Sequence, residues 1–185
     1  MLTDFNLLIS SSRGEEGDAN SELQYLLTEI GDKNATTNFT LVSGLTVART
    51  ALEPTLVIED LRRLLRASPW KFRYVLKVKP VRKVVPCTID AITEALVGQL
   101  DDIREGETFR VSLEKRRNRT SSKEIIDAIA SKVPRKVDLE NPAKIIMVEV
   151  IGDFAGVSIL KPDSVLGIEK EKRTTSQPLI RHLAL

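Results

Sequence analysis

The strongest constraint on the fold is the order in which two hydrophobic periods alternate along the first 80 residues. "FNLLISS" (5–11) is a short apolar run of strand length. Leu23, Leu26, Leu27 and Ile30 then recur at helical spacing, with Asn20 or Ser21 placed to cap that helix and Gly31 to end it. "TNFTLV" (37–42) and "GLTVARTAL" (44–52) read as strands. Glu53 and Pro54 open a second helix, which buries Val57, Leu61, Leu64 and Leu65 and exposes Arg62, Arg63 and Arg66 until Pro69 stops it. "FRYVLKVK" (72–79) alternates, with Phe72, Tyr74, Leu76 and Val78 on one face and Arg73, Val75, Lys77 and Lys79 on the other. Strand, helix, strand, strand, helix, strand is the ferredoxin-like plan.

Beyond residue 80 the element order changes. "PVRKVVP" (80–86) reads as a linker or extended connection. Thr88 caps a helix with Ile89, Ile92, Leu96, Leu100 and Ile103 along one stripe, and Gly106 breaks the chain. "FRVSL" (109–113) is a strand. A further helix buries Ile125, Ile126 and Ile129, and "KIIMVEVI" (144–151) and "AGVSIL" (155–160) form a hairpin across Gly152-Asp153. The expectation is an α+β chain: a ferredoxin-like N-terminal domain over 1–80, a second α/β domain over 81–166, and a tail over 167–185 whose first part is mobile.

Composition narrows the chemistry. Hydrophobic residues make up 42% and aromatics 4%, so the core is aliphatic. One cysteine, Cys87, and one histidine, His182, leave no material for a disulfide, a metal cluster or a His-based triad, and no metal or cofactor is expected. No apolar run is long enough for a membrane span, and the N-terminus lacks a basic leader, which predicts a cytoplasmic protein without a membrane partner.

Net charge is only +2, yet it is unevenly spread. Residues 1–60 hold 3 Lys+Arg and 10 Asp+Glu, residues 61–136 hold 19 and 9, and residues 137–185 hold 6 and 7. The basic middle culminates in "LEKRRNRTSSKEII" (113–126), where Lys115, Arg116, Arg117 and Arg119 precede Ser121-Ser122-Lys123-Glu124, a capping-box pattern. Cations, Asn118, the hydroxyls of Thr120, Ser121 and Ser122, and the free amides of a helix start would converge there, as in a phosphate site. Lys77 and Lys79 predict a second basic face; Arg82, Lys83, Arg135 and Lys136 are counted as extensions of the patch. Several phosphates in a row imply nucleic acid. Scarce rings argue against stacking-based single-strand readers, which leaves a folded RNA recognised by shape, phosphate and ribose contacts.

Residues 84–165 resemble a THUMP domain, the RNA-binding module of several tRNA-modifying enzymes. The resemblance lies in "FRVSLEKRRNRTSSKEII" followed by "VDLENPAKIIMVEVIGDFAGVSILKP". It implies a preceding ferredoxin-like domain and tRNA binding at the acceptor stem. Lys115, Arg117, Asn118 and Arg119 are its contact candidates, with Arg116 adjacent. With about twenty residues left after the last strand, the chain looks like the stand-alone THUMP proteins. These present tRNA to a separate enzyme, the RNA cytidine acetyltransferase that makes 4-acetylcytidine.

No phosphate-binding glycine loop is present, and Cys87 has no nearby histidine, so the expectation is an adaptor without catalytic activity. The alternative from another class is a regulatory or scaffolding ferredoxin-like protein that binds a partner or a small phosphorylated ligand. Salt dependence separates the two, because a surface contacting many phosphates loses affinity steeply as salt rises.

Overall fold

Both faces of the first strand are buried, and this sets the architecture. In β1 (Leu7–Ser10), Leu7 and Ile9 pack among helices, whereas Leu8 points into a second, separate core. A strand buried on both sides needs a layer over each. The computed structural model describes residues 3–176.

α1 (Glu16–Glu29), β2 (Thr36–Phe39), β3 (Leu45–Arg49), α2 (Pro54–Ala67) and β4 (Lys77–Pro80) complete the ferredoxin-like unit, with antiparallel strand order β2-β3-β1-β4. The α+β class expected from the sequence is thus the observed one. α1 starts at Glu16, ahead of the expected caps Asn20 and Ser21. Its polar first turn is anchored from outside, because the Glu16 carboxylate accepts hydrogen bonds from Gly44 N–H (2.5 Å) and Ser43 Oγ (3.2 Å). Gly44, at φ +77, supplies the left-handed turn that aims this amide.

The expected strand over 72–79 shrinks to β4. The N–H groups of Arg73, Tyr74 and Val75 donate to the Glu22 carboxylate of α1 at 2.8–2.9 Å, which withdraws them from any ladder. Phe72 and Val75 are both buried in the first core, against strict alternation.

Pro80 is followed almost at once by β5 (Lys83–Pro86), so the expected linker is largely an edge strand. α3 (Ile89–Val97), β6 (Phe109–Arg116), α4 (Ser122–Lys132), β7 (Lys144–Ile151) and β8 (Phe154–Leu160) follow, in a four-stranded sheet of order β5-β8-β7-β6. β6 runs parallel to β7, and the other pairs are antiparallel. Ile146, Val148 and Val150 pack with α3 and α4, while Met147 and Ile151 face the first unit. The chain then returns. β9 (Leu166–Gly167) pairs with β4, and α5 (Ile168–Ser176) sits beside α2, where Arg62 binds Glu171 at 2.8 Å and Ile168 enters the first core. The expectation of a mobile tail from 167 is corrected for residues 167–176. The low apolar content of that stretch hides a short ladder and an ion pair. Pro178, Leu179, Ile180 and His182 lie outside the described residues.

Between the two sheets, Phe5, Leu8, Leu45 and Val47 of the first unit, with Val81 of the connection that follows β4, meet Met147, Ile151 and Leu160 of the second. An ion cluster lies in the same interface. Lys79 Nζ donates to Glu149 Oε1 (2.5 Å) and Glu114 Oε1 (2.7 Å), and Arg116 bridges Glu149 Oε2 (2.8 Å) and Glu114. Glu149 is 1% exposed and Lys79 7%. The Val81 side chain packs directly on Gly156, where an added Cβ would lie 2.9 Å from Val81 Cγ1.

This packing sets the response to substitution and to acid. Lys79→Ala leaves Glu149 buried without its ammonium and lowers unfolding free energy by about 3–5 kcal/mol in urea titrations. Gly156→Ala costs about 1–3 kcal/mol by overpacking, and Val81→Ala in the same chain recovers part of the loss. The Gly44 N–H, foremost among its hydrogen-bond donors, pulls the Glu16 carboxyl down to about 2 from an ordinary 4.5. A lowered folded pKa gives stability that is present above the ordinary value and lost as pH falls toward the folded one. Urea midpoints measured from about pH 6 to about pH 2 therefore decline, and Glu16→Gln flattens that decline.

Candidate nucleic-acid interface

Strand direction gathers the basic run and two helix starts at one end of the second sheet. Arg116 ends β6 opposite Ile151 of β7, Ile151 pairs with Phe154 of β8, and Phe154 pairs with Pro86, the last residue of β5. The helices that follow β5 and β6 begin there. Thr88 caps α3 by accepting the Ala91 N–H at 3.2 Å, and Ser121 caps α4 by accepting the Glu124 N–H at 3.3 Å. The expected cap at Ser121 is therefore present. The return bond from the Glu124 side chain that would complete a capping box is not formed among the described residues.

The loop between Arg116 and Ser121 is held on both sides. Arg116 C=O accepts the Gly152 N–H at 2.9 Å, and Asn118 Nδ2 donates to Gly152 C=O at 2.8 Å. Asn118 Oδ1 takes the Thr120 N–H at 2.8 Å, and Lys115 Nζ donates to Thr120 C=O. Arg117 adopts φ +54, a left-handed conformation rare for a residue with a Cβ. Cys87 lies against this loop. Burial pushes its thiol up, and a hydrogen bond from Thr120 and the charge of Lys115 only partly offset that, so the thiol is no activated nucleophile.

The predicted site residues separate by place. Arg117 and Arg119 are exposed and have no hydrogen-bond or ion-pair partner among the described residues. Ser122 is exposed at the first turn of α4, and Lys123, 85% exposed, pairs with Asp127. Arg116 instead turns inward to Glu149 and Glu114, while Lys115, Asn118 and Thr120 hold the loop. The basic face expected from Lys77 and Lys79 is halved: Lys77 is exposed, whereas Lys79 is buried in the inter-sheet cluster. Its alternation is legible in the sequence, but the sheet covering that face is not.

Arg82 is exposed and paired with Asp102, and Lys83 lies on the β5 edge, three residues short of Pro86. Arg135 donates to Arg104 C=O at 3.1 Å. Lys136 accepts the Phe109 N–H through its carbonyl at the start of β6. It lies about 23 Å from Arg116 at the usual strand rise, so Arg135 and Lys136 do not extend the patch. Sequence reasoning misses that α3 begins beside α4, a meeting that depends on β6 running parallel to β7.

Among the described residues no group of three or more His, Cys, Asp or Glu could hold a metal ion, and no helix is long and apolar enough to cross a membrane. A cleft of about 800 Å³ opens at the opposite end of the sheets, beside Arg49, Thr50, Arg82 and Leu160.

Comparison with known proteins agrees with the second sheet and its helices. Residues 87–160 match the family model of the THUMP domain. No curated protein sequence matches the chain. Similar solved structures include PH1313 from Pyrococcus horikoshii (TM-score 0.57, 15% identity, 85% of this chain and 55% of that one). TrmN from Thermus thermophilus is another (0.52, 18%, 83% and 44%). A third is a 4-thiouridine synthetase in complex with RNA and ATP (0.50, 14%, 85% and 42%). The chain thus spans about half the length of these neighbours.

They correct the expectation of a protein without catalytic activity. The same fold occurs inside an RNA-modifying enzyme such as the thiouridine synthetase, so the lack of a nucleotide loop in this stretch carries no weight against catalysis. The stretch that matches the THUMP domain, residues 87–160, thus carries β6 to β8, α3 and α4 and the basic strand end.

Proposed function

We propose that the chain binds tRNA through the β6–α4 loop and presents it to a modification active site. One observation carries this reading: Arg117 and Arg119 stand exposed, without partners among the described residues, where α3 and α4 both begin. Two helix dipoles and two guanidinium forks at one spot suit adjacent phosphates, with Lys123 and Ser122 at the rim. The THUMP match and the RNA held by the thiouridine synthetase neighbour support tRNA as the ligand. Division at about residue 80 into a ferredoxin-like and a THUMP unit belongs to the same proposal, with 166–176 returning to the first unit.

The finer reading names the recipient of the tRNA. Resemblance to stand-alone THUMP proteins supports a separate enzyme, the acetyltransferase that makes 4-acetylcytidine. The structural neighbours favour a second reading, in which this chain is the RNA-binding part of a modification enzyme. A pull-down from extract with the tRNA-bound protein separates them. Co-purifying cytidine acetyltransferase activity supports the first. Detection of the chain in the extract as a segment of a larger tRNA-modifying polypeptide supports the second.

Filter retention with bulk tRNA and with duplex DNA of equal length tests the binding claim. Salt-sensitive retention that prefers tRNA is expected. Arg117→Ala lowers affinity about tenfold and flattens the salt dependence by about one phosphate contact, with unchanged thermal stability. Lys136→Ala leaves both unaltered. Equal affinity for Arg117→Ala and the parent would overturn the site. A weak response to salt would favour a small phosphorylated ligand.

A further inference from the structure

The chain has a single tryptophan, Trp70, and it is 75% exposed. Tryptophan is highly buried on average, so this ring is more open than its type usually is. It opens the run "WKFRY" (70–74), in which rings and cations alternate. Phe72 is buried in the first core, so the run offers the surface two rings, Trp70 and the half-buried Tyr74, and two cations, Lys71 and Arg73.

The run is fixed, although it is neither helix nor strand beyond Lys71. Glu22 holds the N–H groups of Arg73 and Tyr74, and Lys172 Nζ donates to Phe72 C=O at 2.9 Å. Tyr25 of α1, 51% exposed, stands beside it, with Lys71 Nζ 5.6 Å from its ring centre. Glu29 neutralises Lys71 and takes the Tyr25 hydroxyl. Arg73 has no carboxylate partner among the described residues and lies 5.3 Å from the ring centre of Tyr74.

We propose that Trp70, with Arg73 three residues on in the same fixed run, forms a stacking contact for an unpaired nucleotide of the bound RNA. A protein-docking patch gains little from an unneutralised cation beside the ring. A nucleotide uses both, the indole against the base and the guanidinium against the phosphate. Trp70, Tyr74 and Tyr25 all lie on the first unit, whereas the phosphate grip is on the second. This inference rests on the tRNA-binding reading.

Because Trp70 is the only tryptophan, its emission reports on the contact. Titration with tRNA and with a short oligoadenylate, run beside filter retention, is expected to quench emission with the midpoint of retention. Trp70→Ala lowers affinity about five- to one hundredfold, whereas Trp70→Phe keeps most of it. An unchanged melting temperature for both variants shows that the fold is intact. Tight, Arg117-dependent tRNA retention with unaltered emission and a neutral Trp70→Ala would overturn the stacking contact. It would leave the tRNA reading standing and make Trp70 a protein-facing patch. No retention of tRNA by the parent protein would overturn both.

Discussion

The arrangement depends on four charges that meet where the two sheets face each other. Lys79 comes from the first unit; Glu114, Glu149 and Arg116 come from the second. Two cations balance two carboxylates, and the innermost pair is nearly excluded from water. Such a cluster adds little net stability over an apolar contact of the same shape, because desolvation offsets most of the attraction. Its effect is selective. Sliding one sheet by a residue would strand a charge without its partner, at a cost of several kcal/mol, whereas the aliphatic contacts around it tolerate small shifts. The cluster therefore fixes how the first sheet sits on the second.

It also sets the base of the proposed RNA grip. Arg116 is drawn inward by Glu149 and Glu114, and the next residue, Arg117, leaves the sheet in a left-handed conformation. Asn118 then ties the loop to the turn between β7 and β8. One arginine is consumed by the fold, and its neighbours are presented by it. A run of four cations that looks uniform in sequence thus holds two kinds of residue, and only Arg117 and Arg119 of the run stand free to meet an anion among the described residues.

How much of this is legible depends on the distance over which each residue acts. The helix caps at Ser121 and Thr88 are visible because capping is settled within four residues. The ferredoxin-like order is visible because each strand and helix carries its own period. "FRYVLKVK" misleads because its alternation is real, but Glu22, about fifty residues earlier in the chain, takes the amides a strand would need. Lys79 reads as a surface cation because one strand cannot show that a second sheet will cover it. Lys136 joins the basic run only by nearness in sequence. α4 carries the chain away from the strand end, and Lys136 meets β6 at its far end, at Phe109.

Hydrogen–deuterium exchange with and without tRNA tests the central claim most directly, because it reports where the RNA lies. Slowed exchange is expected at the amides of residues 117–124 and at the start of α3, with no change at 134–137. Protection confined to 134–137 or to the cleft beside Arg49 and Arg82, with 117–124 unaltered, would contradict it.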